Sequence, residues 1–491
     1  MDELIPLQDA TLNKMPDMVK VPDYDRSKLS AGILHIGLGN FHRAHQAWYL
    51  HKLLEKGLAR DWAIVGAGVR SNDAEQRARL LEQDCLTTLI ELDPSGKSAE
   101  ITGSMIEFVP VEDGNAALID RMACPDIRIV SLTVTEGGYY IDPATGQFAS
   151  EHPDIVHDAQ HPDRPRTAFG AMIAALKRRR EQGIGPFTGQ CCDNLQGNGA
   201  ILRRTILSLA RLSDPELADW IDAHCSFPNS MVDCIVPATG DKEIELVQSF
   251  GIDDAAPVTH ENFRQWVIED DFCAGRPDWD KVGATFSDGV HQYETMKLRI
   301  LNGGHQLISI SGSLLGVDTI ADCMEHQDIR GFLHKTMTRE VLPNVSPVPG
   351  VTPEAYLDLI ARRFSNREII DTTRRVAFDG SSRQPGFIIP SIRDALAKGM
   401  AIEGLALMSA LWMRYCLGRR EDGSAIEPND PNWQSLRATA EKAEDAPRLW
   451  MEQREYYGDL ADSRHFANAF ELWAGRLKEA GVLESLRSFN R

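Results

Sequence analysis

The feature that most constrains this chain is a run of about forty residues near its start. Gly32-Ile-Leu-His-Ile-Gly-Leu-Gly39 is a short apolar run ending in a glycine turn. From Arg43 to Leu58 the apolar residues Ala44, Ala47, Trp48, Leu50, Leu53 and Leu54 fall at helical spacing, and Trp62–Val69 is a second short apolar run. Strand, helix, strand in that order begins a right-handed βαβ unit and a mainly parallel sheet. Further strands are expected at Thr87–Leu92, Ile127–Thr135 and Phe187–Asp193, and helices at Asp73–Gln83, Thr167–Arg180 and Asn198–Leu212. Beyond about residue 285 helical periodicity takes over, at 291–315, 328–341, 353–364, 389–417 and 434–456. The expected fold is α/β: a parallel-sheet domain over 1–285, with an extended N-terminal arm of about 30 residues, then a mostly α-helical domain over 286–491.

The glycine turn suits a dinucleotide. Gly37 can make the tight turn, Gly39 lets backbone approach a pyrophosphate, and the following helix N-terminus favours anions. The third glycine of G-x-G-x-x-G would fall at His42, which departs from the pattern. Candidate cofactor residues are Gly37, Leu38, Gly39, Asn40, Phe41, Arg43 and Asp73. Asp73, just past the second strand, serves either as acceptor for ribose hydroxyls or as the cap of the next helix. Arg70 beside it could greet a 2′-phosphate, so NAD is expected over NADP with NADP as the alternative.

A second constellation is Tyr293-Glu-Thr-Met-Lys-Leu-Arg-Ile-Leu-Asn-Gly-Gly-His305. At about 100° per residue, with Lys297 at zero, Glu294 falls near 60°, His305 near 80° and Asn302 near 140°. Apolar residues occupy most of the remaining circumference, so the helix is buried. Polar groups there are costly unless paired. They form either a structural network or a desolvated lysine base with hydrogen-bond donors beside it. Tyr293-x-x-x-Lys297 also matches the short-chain dehydrogenase dyad, but the glycine pattern of those enzymes is absent. A third segment, Cys192-Asp-Asn-Leu-Gln-Gly-Asn-Gly199, follows a strand, where Asn194 could aim an amide at substrate oxygen; turn and cap roles are the alternative.

Composition narrows the partners. Lys and Arg number 52 against 72 Asp and Glu, a formal charge of −20, which argues against nucleic acid and anionic lipid. No run approaches the roughly 20 apolar residues of a membrane span, and the N-terminus does not read as a signal peptide. Nine cysteines without a CxxC pair suggest reduced thiols in a cytoplasm. His42/His45 and His152/His157/His161 lack zinc spacing, so no metal is expected. No G-x-S-x-G or Walker loop is present.

Taken together, GLGNFHRAHQA (37–47), TEGGYYID (135–142), CDNLQGNG (192–199), FPNSMVD (227–233) and KLRILNGGH (297–305) resemble the long-chain polyol-specific dehydrogenases. That resemblance implies a zinc-independent, commonly monomeric or weakly oligomeric enzyme, with a Rossmann-type dinucleotide-binding domain over 1–285, a mostly helical substrate-binding and catalytic domain over 286–491, and its site between them. It implies Lys297 as general base, Asn194 and Asn302 holding the reacting oxygen, His305 orienting hydroxyls and Glu294 gating proton exit. Arg375 and Arg383 would bind substrate. The implied reaction is NAD-linked interconversion of a polyol and its ketose, D-mannitol and D-fructose first, with D-arabinitol or a hexuronate (fructuronate) as alternatives. Arg383 stands where the family's mannitol enzymes carry lysine, which leaves the polyol open. Asn72 stands where an acid commonly precedes Asp73, which leaves the strictness of NAD use open. A catalytically silent nucleotide sensor is the reading from another class, opposed by the intact Lys297, Asn302 and His305.

Overall fold

The computed structural model describes residues 4–141 and 147–491. Met1–Glu3 of the arm and Asp142, the end of the TEGGYYID run, lie outside the described residues. The chain divides into two compact units, Met1–His291 and Gln292–Arg491.

The first unit is built on five parallel strands: β1 (Ala31–Ile36), β2 (Ala63–Ala67), β3 (Met105–Phe108), β4 (Ile129–Leu132) and β5 (Thr188–Cys191), in the order β3-β2-β1-β4-β5. Every residue of β1, β2, β4 and β5 is buried, as a parallel sheet covered on both faces requires. The side chains alternate. Leu34, Ile36 and Val65 pack with Met122, Phe169 and Ile206, while Ile33 and Ile64 pack with Leu50, Trp266 and Trp279. The strand order reverses at β1, so the crevice beyond the carboxyl ends of β1 and β4 is the topological switch point where ligands bind.

Several expectations are corrected. Thr87–Asp93 is a strand, but it pairs antiparallel with Gly96–Thr102 in a separate four-stranded sheet. The strand that joins the parallel sheet instead is Met105–Phe108, four residues with only its ends buried, too short to show a period. The expected helix over Arg43–Leu58 starts earlier and is two pieces, Asn40–Ala44 and Gln46–Glu55, broken where His45 adopts φ −120°, ψ −93°. The arm is not simply extended. It forms 3₁₀ turns at Asp9–Lys14 and Arg26–Lys28, and Ile5–Pro6 and Val19–Lys20 pair with Ile252–Asp253 and Ala99–Glu100. Arg26 fastens it by donating to the carbonyls of Gly103, Asp84 and Met105.

The second unit is helical. The expected run 389–417 is two helices, Ile389–Ala397 and Glu403–Cys416, separated where Gly399 takes φ +65° in a left-handed C-terminal turn. The run 434–456 is likewise broken, into Trp433–Ala443, Arg448–Met451 and Arg454–Tyr457. Three helices carry π turns, at Lys297–Asn302, Met337–Val341 and Gln384–Ile388. They converge at Gly303, whose ideal Cβ would sit 3.6 Å from the Phe387 carbonyl and 3.8 Å from Met337 Cε. Among the described residues no helix is long and apolar enough to cross a membrane.

Candidate active site

In the first unit β1 runs into the glycine turn. Gly37 takes φ +98°, and a Cβ there would lie 2.1 Å from the Thr133 carbonyl, so only glycine fits. A Cβ on Gly39 would meet nothing within 4 Å. It faces a cavity of about 730 Å³ whose lining includes Gly37, Leu38, Gly39, Asn40, Arg70 and Asp73. An open cradle of backbone at a helix N-terminus is the geometry a pyrophosphate needs, and the residues present fit a dinucleotide.

His42 explains the missing third glycine. That glycine normally permits close helix–strand packing. Here the His42 ring stacks on His35 of β1, centroids 3.4 Å apart and 14° from parallel, so two flat rings achieve the approach. His35 is held by Ser131 Oγ at 2.7 Å and Thr133 Oγ1 at 2.9 Å. Ser131 donates to Gln46, which donates to Gln190, tying helix, β1, β4 and β5 together. Burial pushes His35 down to about 3 and His42 well below its usual range, so both stay neutral.

Phe41 and Arg43 are not among the residues that line the cavity. Phe41 stacks on His45 at 4.8 Å. Arg43 is 3% exposed and turns inward, donating to the Ala256 carbonyl and to Asn40 Oδ1 at 2.8 Å. It braces the turn from beneath rather than meeting a phosphate. Asp73 has both features expected of it: it begins the helix Asp73–Glu82 and lines the cavity, while its Oδ2 accepts the Val69 and Arg70 N–H groups at 2.9 Å each.

Asn194 is exposed on the turn after β5. Its neighbours build that turn, and the sequence reading missed them. Asn198, fully buried, donates to the carbonyls of Cys191, Asp193 and Ser230 and accepts the Ser230 N–H. A Cβ on Gly199 would overlap the Phe227 carbonyl at 2.3 Å. The CDNLQGNG and FPNSMVD runs are thus one packed structure. The signal was Gly199, where any side chain would collide with the Phe227 and Pro228 backbone.

In the second unit Glu294 and Lys297 are buried, 4% and 7% exposed, and Asn302 and His305 are part-buried. The π turn corrects the helical-wheel angles. With bonds from i+5 to i, Asn302 lies about one full turn below Lys297 instead of far round the helix. The His305 ring stacks on Phe364 at 4.2 Å and 23°. Arg375 is clamped by the buried Asp371 through Nε at 2.6 Å and Nη2 at 2.5 Å. Arg383 donates to the Val376 carbonyl at 2.5 Å, next along the chain from Arg375.

One further cluster was not foreseen. His51, Glu55 and Glu100 bring ligand-type atoms within 4.8 Å of one another. Lys52 pairs with both carboxylates and already supplies the positive charge.

Residues 31–281 match the Mannitol dehydrogenase Rossmann domain and residues 289–475 the Mannitol dehydrogenase C-terminal domain. The chain is 54% identical to mannitol 2-dehydrogenase of Cereibacter sphaeroides over 475 residues, 97% of this chain and 99% of that one. It is 42% identical to mannitol 2-dehydrogenase of Pyricularia oryzae, covering 96% and 95%. Among solved structures it is similar to Pseudomonas fluorescens mannitol 2-dehydrogenase in ternary complex with NAD and D-mannitol, at TM-score 0.91 and 41% identity over 99% of each chain. It is also similar to a substrate-free D-sorbitol dehydrogenase, at TM-score 0.88 and 33% identity over 98% and 100%.

Proposed function

This chain belongs to the mannitol dehydrogenase family, and on that premise we propose that it interconverts D-mannitol and D-fructose as an NAD-dependent oxidoreductase. The observation that carries the reading is the full-length likeness to an enzyme solved with NAD and D-mannitol.

Gly37, Leu38, Gly39, Asn40 and Asp73 would hold the dinucleotide. Lys297, buried at 7% exposure, takes the proton from the reacting hydroxyl as general base. Asn194 and Asn302 donate to the oxygen as it becomes an alkoxide, the role of an oxyanion hole. The Asn302 amide oxygen is buried with no hydrogen-bond partner, and a substrate hydroxyl would satisfy it. His305, held flat by Phe364, orients neighbouring hydroxyls, and Glu294, one helical turn before Lys297, passes the proton outward. Arg375, pre-set by Asp371, and Arg383 present guanidinium donors to the polyol chain. NAD, when bound, supplies the hydride acceptor.

The reading extends to a monomer or weak oligomer in the cytoplasm; for the compartment, nine cysteines without a disulfide among the described residues suit reducing conditions. The test is a turnover panel of D-mannitol, D-sorbitol, D-arabinitol and fructuronate followed by NADH absorbance. D-Mannitol should give the highest kcat/KM. Fructuronate reduction outrunning fructose reduction would transfer the assignment to a hexuronate reductase.

A further inference from the structure

Two loops leave the carboxyl ends of adjacent strands β4 and β5, and one side chain joins them. Asp193 Oδ2 accepts the Val134 N–H at 2.9 Å and the Tyr139 hydroxyl at 2.6 Å, and Oδ1 accepts the Thr135 N–H at 3.1 Å. Val134, Thr135 and Gly138 belong to the cavity wall. Thr135 sits at φ +70°, a backbone region that a β-branched residue enters only when its surroundings impose it. The Asp193 bonds to Val134 and Thr135 are the imposing contacts. Tyr139 is fully buried, and desolvation holds its phenol protonated, so it donates. Its hydroxyl also lies 2.8 Å from Cys191 Sγ. On the other side, the Asp193 carbonyl accepts from Leu195 N and Asn198 Nδ2, which shapes the turn that carries Asn194.

We propose that Asp193 is a positioning residue for the reaction: a single carboxylate sets both the wall of the cofactor cavity and the turn that presents Asn194. This rests on the reading of Asn194 as the amide that holds the substrate oxygen. Only an acceptor-only group suits the place, because three donors converge on it. An asparagine would offer one oxygen, and its NH₂ would face an N–H or the hydroxyl.

The test is a double-mutant cycle of Asp193→Asn and Asn194→Ala in the full chain, read by kcat with D-mannitol and by NADH affinity from fluorescence. In the wild-type background Asp193→Asn should lower kcat by roughly 10–100-fold, the range that loss of a charge-assisted hydrogen bond gives. It should also weaken NADH binding several-fold, and raise the isotope effect with 2-deuterated mannitol as the hydride step slows. In the Asn194→Ala background it should lower kcat by less than about threefold, since its effect on turnover runs through Asn194, while the loss of NADH affinity persists. Equal losses of kcat in both backgrounds, or a variant within threefold of wild type, would overturn the proposal. Should Asp193→Asn not fold, Tyr139→Phe takes its place in the same cycle, and additivity there overturns it equally. Wild-type inactivity on D-mannitol would instead refute the substrate assignment; the cycle is then run on whichever polyol of the panel is turned over, and the NADH readout needs none.

Discussion

Replacing Lys297 tests the proposed chemistry most directly, provided that proton removal is separated from packing. Lys297 is 7% exposed, so its stem is packed as well as its terminal nitrogen. Truncation to alanine removes three buried methylenes beyond Cβ, about 0.8 kcal/mol each or roughly 2 kcal/mol of stability. Methionine keeps a stem of similar length without a base. Loss of general-base catalysis costs about 10²–10⁴-fold, equivalent to about 2.7–5.4 kcal/mol of barrier. Lys297→Ala and Lys297→Met should therefore share the same kcat deficit, while only the alanine variant melts at lower temperature. NADH affinity should stay near wild type in both, because Lys297 is not among the residues lining the cofactor cavity. Methylamine should restore part of the rate to the alanine variant, where the stem's space is empty, and none to the methionine variant. NADH formation from D-mannitol reads all of this. Either variant keeping more than a tenth of the wild-type rate would remove Lys297 as the base.

Asp73→Ala should weaken NAD use and raise relative use of NADP, measured as the ratio of kcat/KM values; an unchanged ratio would leave Asp73 as the former of the Val69–Arg70 turn alone. Arg383→Lys should keep kcat/KM for D-mannitol within about tenfold, under roughly 1.4 kcal/mol, while harming any hexuronate turnover more through loss of bidentate pairing; the turnover panel decides. Dialysis against chelator should leave activity unchanged, and loss reversed by Zn²⁺ would show a metal requirement. Glu340 is buried and accepts the Gly404 and Leu405 N–H groups, and desolvation pushes its carboxyl from 4.5 up to about 7. Between those values the folded state binds more protons than the unfolded one, so stability falls as pH rises from about 4.5 to 7 and then levels, by at most about 3 kcal/mol. Glu340→Gln should flatten that slope in thermal midpoints, and parallel slopes would clear Glu340 of it.

The parallel sheet was legible because buried strands read as apolar runs, as Gly32–Ile36 and Trp62–Ala67 do. Met105–Phe108 was not, since four residues with a half-exposed middle carry no period. The glycine turn was legible at Gly37 and Gly39, where sterics admit few alternatives. The inward turn of Arg43 was not, because its acceptor is the carbonyl of Ala256, far along the chain. Lys297, Asn302 and His305 were legible as polar residues on an apolar helix. Their angular relation was not, because a period of 3.6 residues cannot show where one residue has been inserted into a turn. Asp193 was hidden for another reason: an acid at a strand end looks like any turn residue until its three donors are in place.

The docking of the arm bears on how the first unit assembles. Ile5 pairs in parallel with Ile252, a partner translated about 250 residues later, which at 5–20 residues per second is a delay of roughly 12–50 s. Arg26 waits less, for Asp84, Gly103 and Met105. All five strands of the central sheet, the last ending at Cys191, leave the ribosome before the arm's first strand has anything to pair with. Such long-range closure is slow and comes at a cost in loop entropy. The earliest-made segment of the unit is thus among the last to find its place, and during synthesis it is an unpaired strand that a nascent neighbour could capture.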